Sequence, residues 1–365
     1  MAVLTQRETL RFLFALPGFH QEERGAEVAL LAVADELARG GDAVTVIGTG
    51  APRADTTYSY RQVGAINRRR FERLPFFPPF RSETVWEDAT FAIGLRGAYS
   101  PRDFDVTVTC NFPFTHWVLR RGGTDRPRHL YVTQNGYWPA ISDEAEFRYF
   151  ACDGLVCTNP DFEAETRGRW RTALIPNGIH PGRFTGVEGN RAAFGLTEGR
   201  PVVLMVSAFI DSKRVLEGMR AVAAIPDAHF VVAGDGPLRE QVDRLAADLL
   251  PGRFTRLTLG AAEMPTLYRS ADCFLHMSFE EAFGNVYVEA MAAGLPIVGP
   301  DTSRVRWIVG ERDTLCDVES QRDVTTAVMR ALAHGRGDAD PRAQQFTWPV
   351  IARQYREFAQ AVVAG

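Results

Sequence analysis

The sequence predicts an α/β protein made of two doubly wound domains in series. Three observations carry that expectation. The chain has 365 residues, room for two domains of ordinary size. Its apolar runs, such as PVVLMVSAF at 201–209, are continuous rather than alternating, as in strands of a parallel sheet covered on both faces. One plan of strand, loop, helix and strand also occurs twice, starting at Phe12 and again at Pro201.

In the first copy the strand is Phe12–Ala15. A loop with glycines at 18 and 25 follows, then a helix with Leu30, Ala34, Leu37 and Ala38 on one face. Gly40-Gly41 ends it, and AVTVIG is the next strand. In the second copy a polar loop at Ile210–Lys213 leads into a helix carrying Leu216, Met219, Val222 and Ala223, and HFVVAG follows as a strand. The turn-rich LIPNGIHPGRF at 174–184 marks the domain boundary, giving domains of 1–174 and 175–346. The tail 347–365 reads as a helix with Val350, Tyr355, Phe358 and Val362 in one stripe, free to pack across the domain junction and complete the first domain. Residues 58–99 read as irregular. Within them NRRRFERLPFFPPFR at 67–81 mixes basic and aromatic residues. It suits a peripheral contact with an anionic membrane surface or a lipid-linked acceptor, or else a long surface loop with its aromatics tucked inward.

Composition narrows the function classes. A net charge of −4 gives no global signal for nucleic acid. The five cysteines are scattered with no C-x-x-C pair, which argues against a disulfide framework or a zinc site and fits a reducing cytoplasm. No run approaches the ~18 apolar residues of a membrane span, and RFLFALPGF is a strand broken by Pro17 and Gly18.

FEEAFGNVYVEAMAAGLPIVGPD at 279–301 carries the chemistry. A buried strand, ADCFLHMS, leads into a loop at 279–284, and a helix is expected from Val286 to Ala293 with Asn285 as its N-cap. Gly294 and Pro296 end it. A helix N-terminus offers N–H groups and partial positive charge, and Gly284 lets a ligand approach bare backbone. Glu281 and Glu289, eight positions apart, are acceptors for the hydroxyls of a sugar or ribose. The blander reading is that glutamates near a helix start are favourable anyway.

The pattern E-x-F-G-x-x-x-x-E-A-M-A-x-G-x-P resembles the signature of the family-four retaining glycosyltransferases. IPNGIH at 175–180, VVAGDGPL at 231–238, RGAEVALLAVADELARGGDAVTVI near the N-terminus and FTWPVIARQYREF near the end resemble further blocks of that family, in order. The resemblance implies the GT-B architecture: two Rossmann-like domains facing a cleft, with a C-terminal helix crossing back to the N-terminal, acceptor-binding domain. It implies a nucleotide-diphosphate sugar donor, a glycan or lipid-linked acceptor, and no metal cofactor. Glu281 would contact the donor sugar and Glu289 the ribose, while backbone amides around Phe283, Gly284 and Asn285 hold sugar and phosphate. Lys213 would neutralise the diphosphate. Where the family often has an arginine five residues before that lysine, this chain has Ala208; Arg214 either supplies the missing charge or faces solvent. Gly25, where the family often has a glycine pair and this chain reads Arg24-Gly25, belongs to a loop over the diphosphate. On the acceptor side Asn111 and Asn135 stand near positions where the family often has histidine, and His116 is the nearest imidazole. It either positions acceptor or donor sugar or is a half-buried histidine at a helix start. No general base is assigned, because in a front-face mechanism the departing phosphate oxygen can take the acceptor's proton.

Three rivals remain. A metal-dependent transferase needs Asp-x-Asp at a strand end, and Asp103-Phe104-Asp105 and Asp338-Ala339-Asp340 are poorly placed. A nicotinamide oxidoreductase needs Gly48-Thr49-Gly50 to open a helix, and Pro52 opposes that. A catalytically inert nucleotide-sugar-binding or partner-binding protein on the same fold is the third.

Overall fold

Parallel pairing runs through both sheets of the computed structural model, which describes residues 9–312 and 314–365. Two units divide the chain. One extends to Gly178 and takes in Trp348–Gly365; the other is Ile179–Thr347.

The first unit contains β1 (Arg11–Ala15), α1 (Gly25–Arg39), β2 (Ala43–Gly48), β3 (Ser59–Gln62), α2 (Glu83–Ala98), β4 (Val106–Thr109), α3 (Phe114–Leu119), β5 (Arg128–Val132), α4 (Trp138–Ile141), β6 (Gly154–Cys157), α5 (Pro160–Thr166) and β7 (Thr172–Leu174). Its strand order is β3-β2-β1-β4-β5-β6-β7. Both faces are apolar because each strand sends alternate residues to opposite sides. Phe12, Phe14, Val46 and Val108 pack under α1, while Leu13, Ala15 and Ile47 meet Phe91 and Leu95 of α2.

The second unit contains β8 (Val202–Val206), α6 (Val215–Ala223), β9 (His229–Ala233), α7 (Arg239–Leu249), β10 (Phe254–Leu257), α8 (Met264–Ser270), β11 (Cys273–Leu275), α9 (Asn285–Ala292), β12 (Ile297–Pro300), α10 (Ser303–Val309), β13 (Leu315–Cys316) and α11 (Gln321–His334). Its order is β10-β9-β8-β11-β12-β13. Leu204, Val231, Phe274 and Ile297 pack with α9 on one face; Val203, Met205, Phe230 and Leu275 pack with α6 and α11 on the other. The last helix, α12 (Trp348–Ala364), belongs to the first unit and packs on α1.

Three local expectations are corrected. Residues 58–99 are not irregular throughout: they contain β3 and the 16-residue α2. The inward positions of α2 are Asp88, Phe91, Ala92 and Leu95, so a carboxylate breaks the apolar stripe that would have revealed the helix. The inward stripe of α12 is Trp348, Ile351, Ala352, Tyr355, Ala359 and Val362; Val350 and Phe358 lie at its edges. The two alanines let the helix lie close, and Phe358 reaches over Gly154 instead. Finally, α9 begins one residue early, with Gly284 as its N-cap and Asn285 already helical.

The rival motifs find structural employment. Asp105 accepts from Arg11 Nε at 3.1 Å and Nη2 at 2.9 Å. Asp340 caps the turn at 341–346 and pairs with Arg312. Gly48 ends β2 and Gly50 packs against His20, with strand β3 as the next element rather than a helix. Among the described residues no helix is long and apolar enough to cross a membrane.

Candidate active site

In a doubly wound sheet the loops that diverge from two neighbouring strands open a crevice at their carboxyl ends. In the second unit those strands are β8 and β11: the chain moves from β8 outward to β9, and β11 starts the other half. The loop after β8 supplies Lys213 and the loop after β11 supplies Glu281. Lys213 Nζ donates to Glu281 Oε1 at 2.5 Å and to the Glu280 carbonyl at 3.3 Å. His276 Nε2 lies 2.9 Å from the same Oε1. Arg304, at the start of α10, donates to the Glu281 carbonyl at 2.6 Å. Burial alone would raise the Glu281 pKa, but the His276 hydrogen bond and charge, with Lys213, outweigh it and pull the carboxyl down to about 2. The carboxylate is therefore ionised at neutral pH.

The backbone beside it is shaped by Gly284. Its φ of 98° lies in the left-handed region, and a Cβ there would stand 2.9 Å from the Tyr287 ring. Phe283 is buried between Trp307 and Phe346, which anchors the turn from below. Glu289, one turn into α9, accepts from Tyr268 Oη at 2.8 Å. Burial pushes its pKa up, against the Tyr268 hydrogen bond and the charge of Arg183. The structure thus joins Lys213 directly to Glu281, while the Glu289 carboxylate is engaged by α8. Arg214 caps α6 with φ 54°, donates to the Val318 carbonyl at 3.2 Å and lies 5.5 Å above the Phe279 ring.

The first unit changes strand order between β1 and β4, and there the crevice is a cavity of about 620 Å³. Gly18, Arg24, Gly25 and Glu27 come from the β1 side, Asn111 and Phe112 from the β4 side, Gln134 and Asn135 from the loop after β5, and Trp138 from the start of α4. Gly25 opens α1 with empty space where a side chain would be. Gly18 makes room for the Glu27 carboxylate: a Cβ there would lie 2.1 Å from Glu27 Oε1. Glu27 is buried, with Arg24 at 3.6 Å, and burial raises its pKa. Asp88 caps α3, accepting from the backbone N–H of Phe114 at 2.8 Å and from Thr115 Oγ1 at 2.5 Å. Trp138 is 53% exposed.

His116 does not line this cavity. It is fully buried, stacked on Phe150, with its Nδ1 3.1 Å from His129 Nε2. His129 in turn reaches Thr107 Oγ1 at 2.9 Å, and burial drives both imidazole pKa values down, His129 to about 3. The half-buried position expected from sequence is replaced by a core one, because the Phe112–Phe150 aromatic layer closes over the ring. Asn135 is exposed on the cavity wall, 3.5 Å from Asn111 Oδ1. Residues that motif reasoning missed include His276, Arg304, Glu27 and Trp138. His276 had a signal, an imidazole at the very end of a buried strand; Arg304 had none, since it arrives from the next helix.

Two units with parallel sheets, one bearing a carboxylate–lysine pair and a bare-backbone turn at its switch point, define a glycosyltransferase of the GT-B type. Residues 187–346 match the model for glycosyl transferases group 1, and residues 24–183 match glycosyltransferase family 4. A GDP-mannose-dependent alpha-mannosyltransferase of Mycolicibacterium smegmatis is 32% identical over 97% of this chain and 98% of its own. A lipopolysaccharide core biosynthesis glycosyltransferase of Rhizobium meliloti is 26% identical over 50% of this chain and 54% of its own length. Sucrose-phosphate synthase of Thermosynechococcus elongatus shares the fold with a TM-score of 0.78 at 20% identity, covering 97% of this chain and 99% of that one. The chain belongs to glycosyltransferase family four.

Proposed function

We propose that the protein is a retaining glycosyltransferase that moves a hexose from a nucleotide-diphosphate sugar to a glycan or lipid-linked acceptor in cell-surface polysaccharide or glycolipid biosynthesis. The observation that carries this reading is the Glu281 carboxylate, ionised and held beside Lys213 next to the bare turn at Gly284. Glu281 receives the donor sugar's hydroxyls, the amides around Phe283, Gly284 and Asn285 take sugar and phosphate, and Glu289 takes the ribose. Lys213 meets the charge left on the diphosphate. A charge pair at ~4 Å contributes roughly 4 kcal/mol at an effective dielectric near 20. Arg304 is the second cation: its guanidinium already reaches the Glu281 loop, whereas that of Arg214 is engaged by Val318 and Phe279. Transfer then needs no metal, and EDTA should leave turnover unchanged.

The acceptor's hydroxylated ring occupies the first unit's cavity, where Trp138 offers an apolar face and Glu27 and Asn135 accept and donate hydrogen bonds. Residues 67–81 add peripheral contact with an anionic membrane surface at its cytoplasmic face. Phe71 and Phe80 turn inward onto Trp86, but Leu74, Phe76 and Phe77 are exposed beside Arg69, Arg70 and Arg73. Sedimentation with anionic vesicles, lost in a Phe76→Ser/Phe77→Ser variant, tests this contact.

The full-length mannosyltransferase relative makes GDP-mannose the first donor to try, with UDP-hexoses beside it. A thermal-shift panel decides: a donor at 100 times its Kd adds ~2.7 kcal/mol of stability. Binding with neither transfer nor hydrolysis would leave an inert nucleotide-sugar-binding protein instead. Product anomeric configuration by NMR tests retention.

A further inference from the structure

His276 is the first residue beyond β11, and its backbone N–H still donates to Val298 at 2.9 Å, so the ladder fixes its position. Its side chain is 1% exposed, ring-parallel to Phe274 and edge-on to Tyr287 at 5.0 Å. A ring packed on two sides has little rotational freedom. Its Nε2 points at Glu281 Oε1, which as part of an ionised carboxylate is acceptor only, so Nε2 carries the proton. Nδ1 is buried and meets no partner among the described residues.

Both bonds to the Glu281 side chain, from Lys213 and from His276, fall on Oε1. Oε2 has no hydrogen-bond partner among the described residues. The two donors differ in kind. Lys213 is a flexible chain on an exposed loop, partly open to solvent; His276 is locked in the core. Resting on the reading of Glu281 and Lys213 given above, we propose that His276 is a positioning residue: it holds the Glu281 carboxylate in its sugar-binding orientation when Lys213 leaves it for the donor's diphosphate. Glu281 and the diphosphate both claim the same ammonium, and the imidazole allows the lysine to transfer without the carboxylate swinging away. The charged and titratable groups facing Glu281 are His276, Lys213, Tyr287 on α9 and, at its carbonyl, Arg304.

The test compares His276→Leu, which fills the space without a donor, with His276→Gln, whose amide N–H stands near the place of Nε2. A hydrogen bond to a charged group corresponds to roughly a 10- to 100-fold effect. His276→Leu should lose that much in kcat/KM for the nucleotide sugar, with the acid limb of its pH profile displaced to higher pH; His276→Gln should recover most of the loss and restore the limb. A second measurement does not depend on the variants' activity: the nitrogen NMR signals of His276 in the folded wild-type protein should change in Glu281→Gln. Equal kcat/KM and an unmoved acid limb in His276→Leu, while Lys213→Ala and Glu281→Ala have lost turnover, would overturn the positioning role and leave the donor site standing. Full turnover in those two controls would instead remove the donor site, and the role with it. Unchanged His276 signals in Glu281→Gln overturn the role even if His276→Leu fails to fold.

Discussion

The two units reverse strand order at equivalent places, between β1 and β4 in one and between β8 and β11 in the other, yet the crevices there are chemically unlike. In the second unit the crevice carries a compact charged cluster, with Lys213 and His276 converging on one oxygen of Glu281. In the first unit it is a cavity of about 620 Å³ walled by Trp138, Asn135, Gly25 and the buried Glu27. One architecture thus presents a fixed-charge site and a roomy mixed site, which the proposed function assigns to the donor's diphosphate and the acceptor's ring. The difference comes from loop content alone, since both sheets are parallel and covered on both faces.

The sharpest way to break this contrast is at the charged crevice. Lys213→Ala and Glu281→Ala should each lower transfer by ~10²–10³-fold, the usual range for removing one group that stabilises departing charge, with circular dichroism unchanged. Near-full turnover in both would dissolve the distinction. Next comes Arg304→Ala, expected to cost roughly tenfold in kcat/KM, against an Arg214→Ala loss within about twofold. The reverse ranking would return the role of second cation to Arg214. In the cavity, Trp138→Ala and Glu27→Gln should raise the acceptor KM by about tenfold while the donor's thermal shift stays as in wild type. A matching loss of donor binding would mean the two crevices are not chemically separate.

The last effect is a pH one: both units lose stability as pH falls, but in different windows. His116 and His129 are buried and neutral in the first unit, with pKa values lowered by burial. Below about pH 6.5 the unfolded chain binds protons that the folded unit refuses, so these groups cost stability as pH falls, by about 1.4 kcal/mol per pH unit for each imidazole. Burial raises the Glu27 and Asp88 pKa values and opposes this, so the wild type must be read against a variant lacking both imidazoles. The urea-midpoint advantage of wild type over His116→Phe/His129→Leu should shrink from pH 6.5 to 5. Glu281 in the second unit acts in the same direction in a lower window: its depressed pKa gives stability that is complete above the ordinary carboxylate value and lost only as pH falls toward about 2. Trp307 is the single tryptophan of the second unit, so a Trp307→Phe variant lets fluorescence follow the first unit alone.

Much of this was legible in the chain. Continuous apolar strands and a twice-repeated plan set the parallel sheets, because a strand buried on both faces must be apolar at every position. Asn285 and Gly284 located the start of α9 to within one residue, because few residues tolerate the left-handed turn found there. The order Glu281, Gly284, Glu289 was a local pattern, and local patterns survive in sequence.

Other features depended on neighbours far along the chain. The helix α2 was hidden because its inward-facing Asp88 looks like a surface residue until α3 arrives to be capped by it. His116 looked available until Phe150 and His129 closed over it. Arg304 reaches the Glu281 loop from 23 positions away, and Lys213 from 68. The sequence by itself determined which segments become strands and helices and which turn needs a glycine, since those follow from side-chain periodicity and backbone sterics. Only the tertiary structure decided which carboxylate meets which cation and which imidazole is sealed away, since burial and charge pairing are properties of groups that the fold brings together from distant parts of the chain.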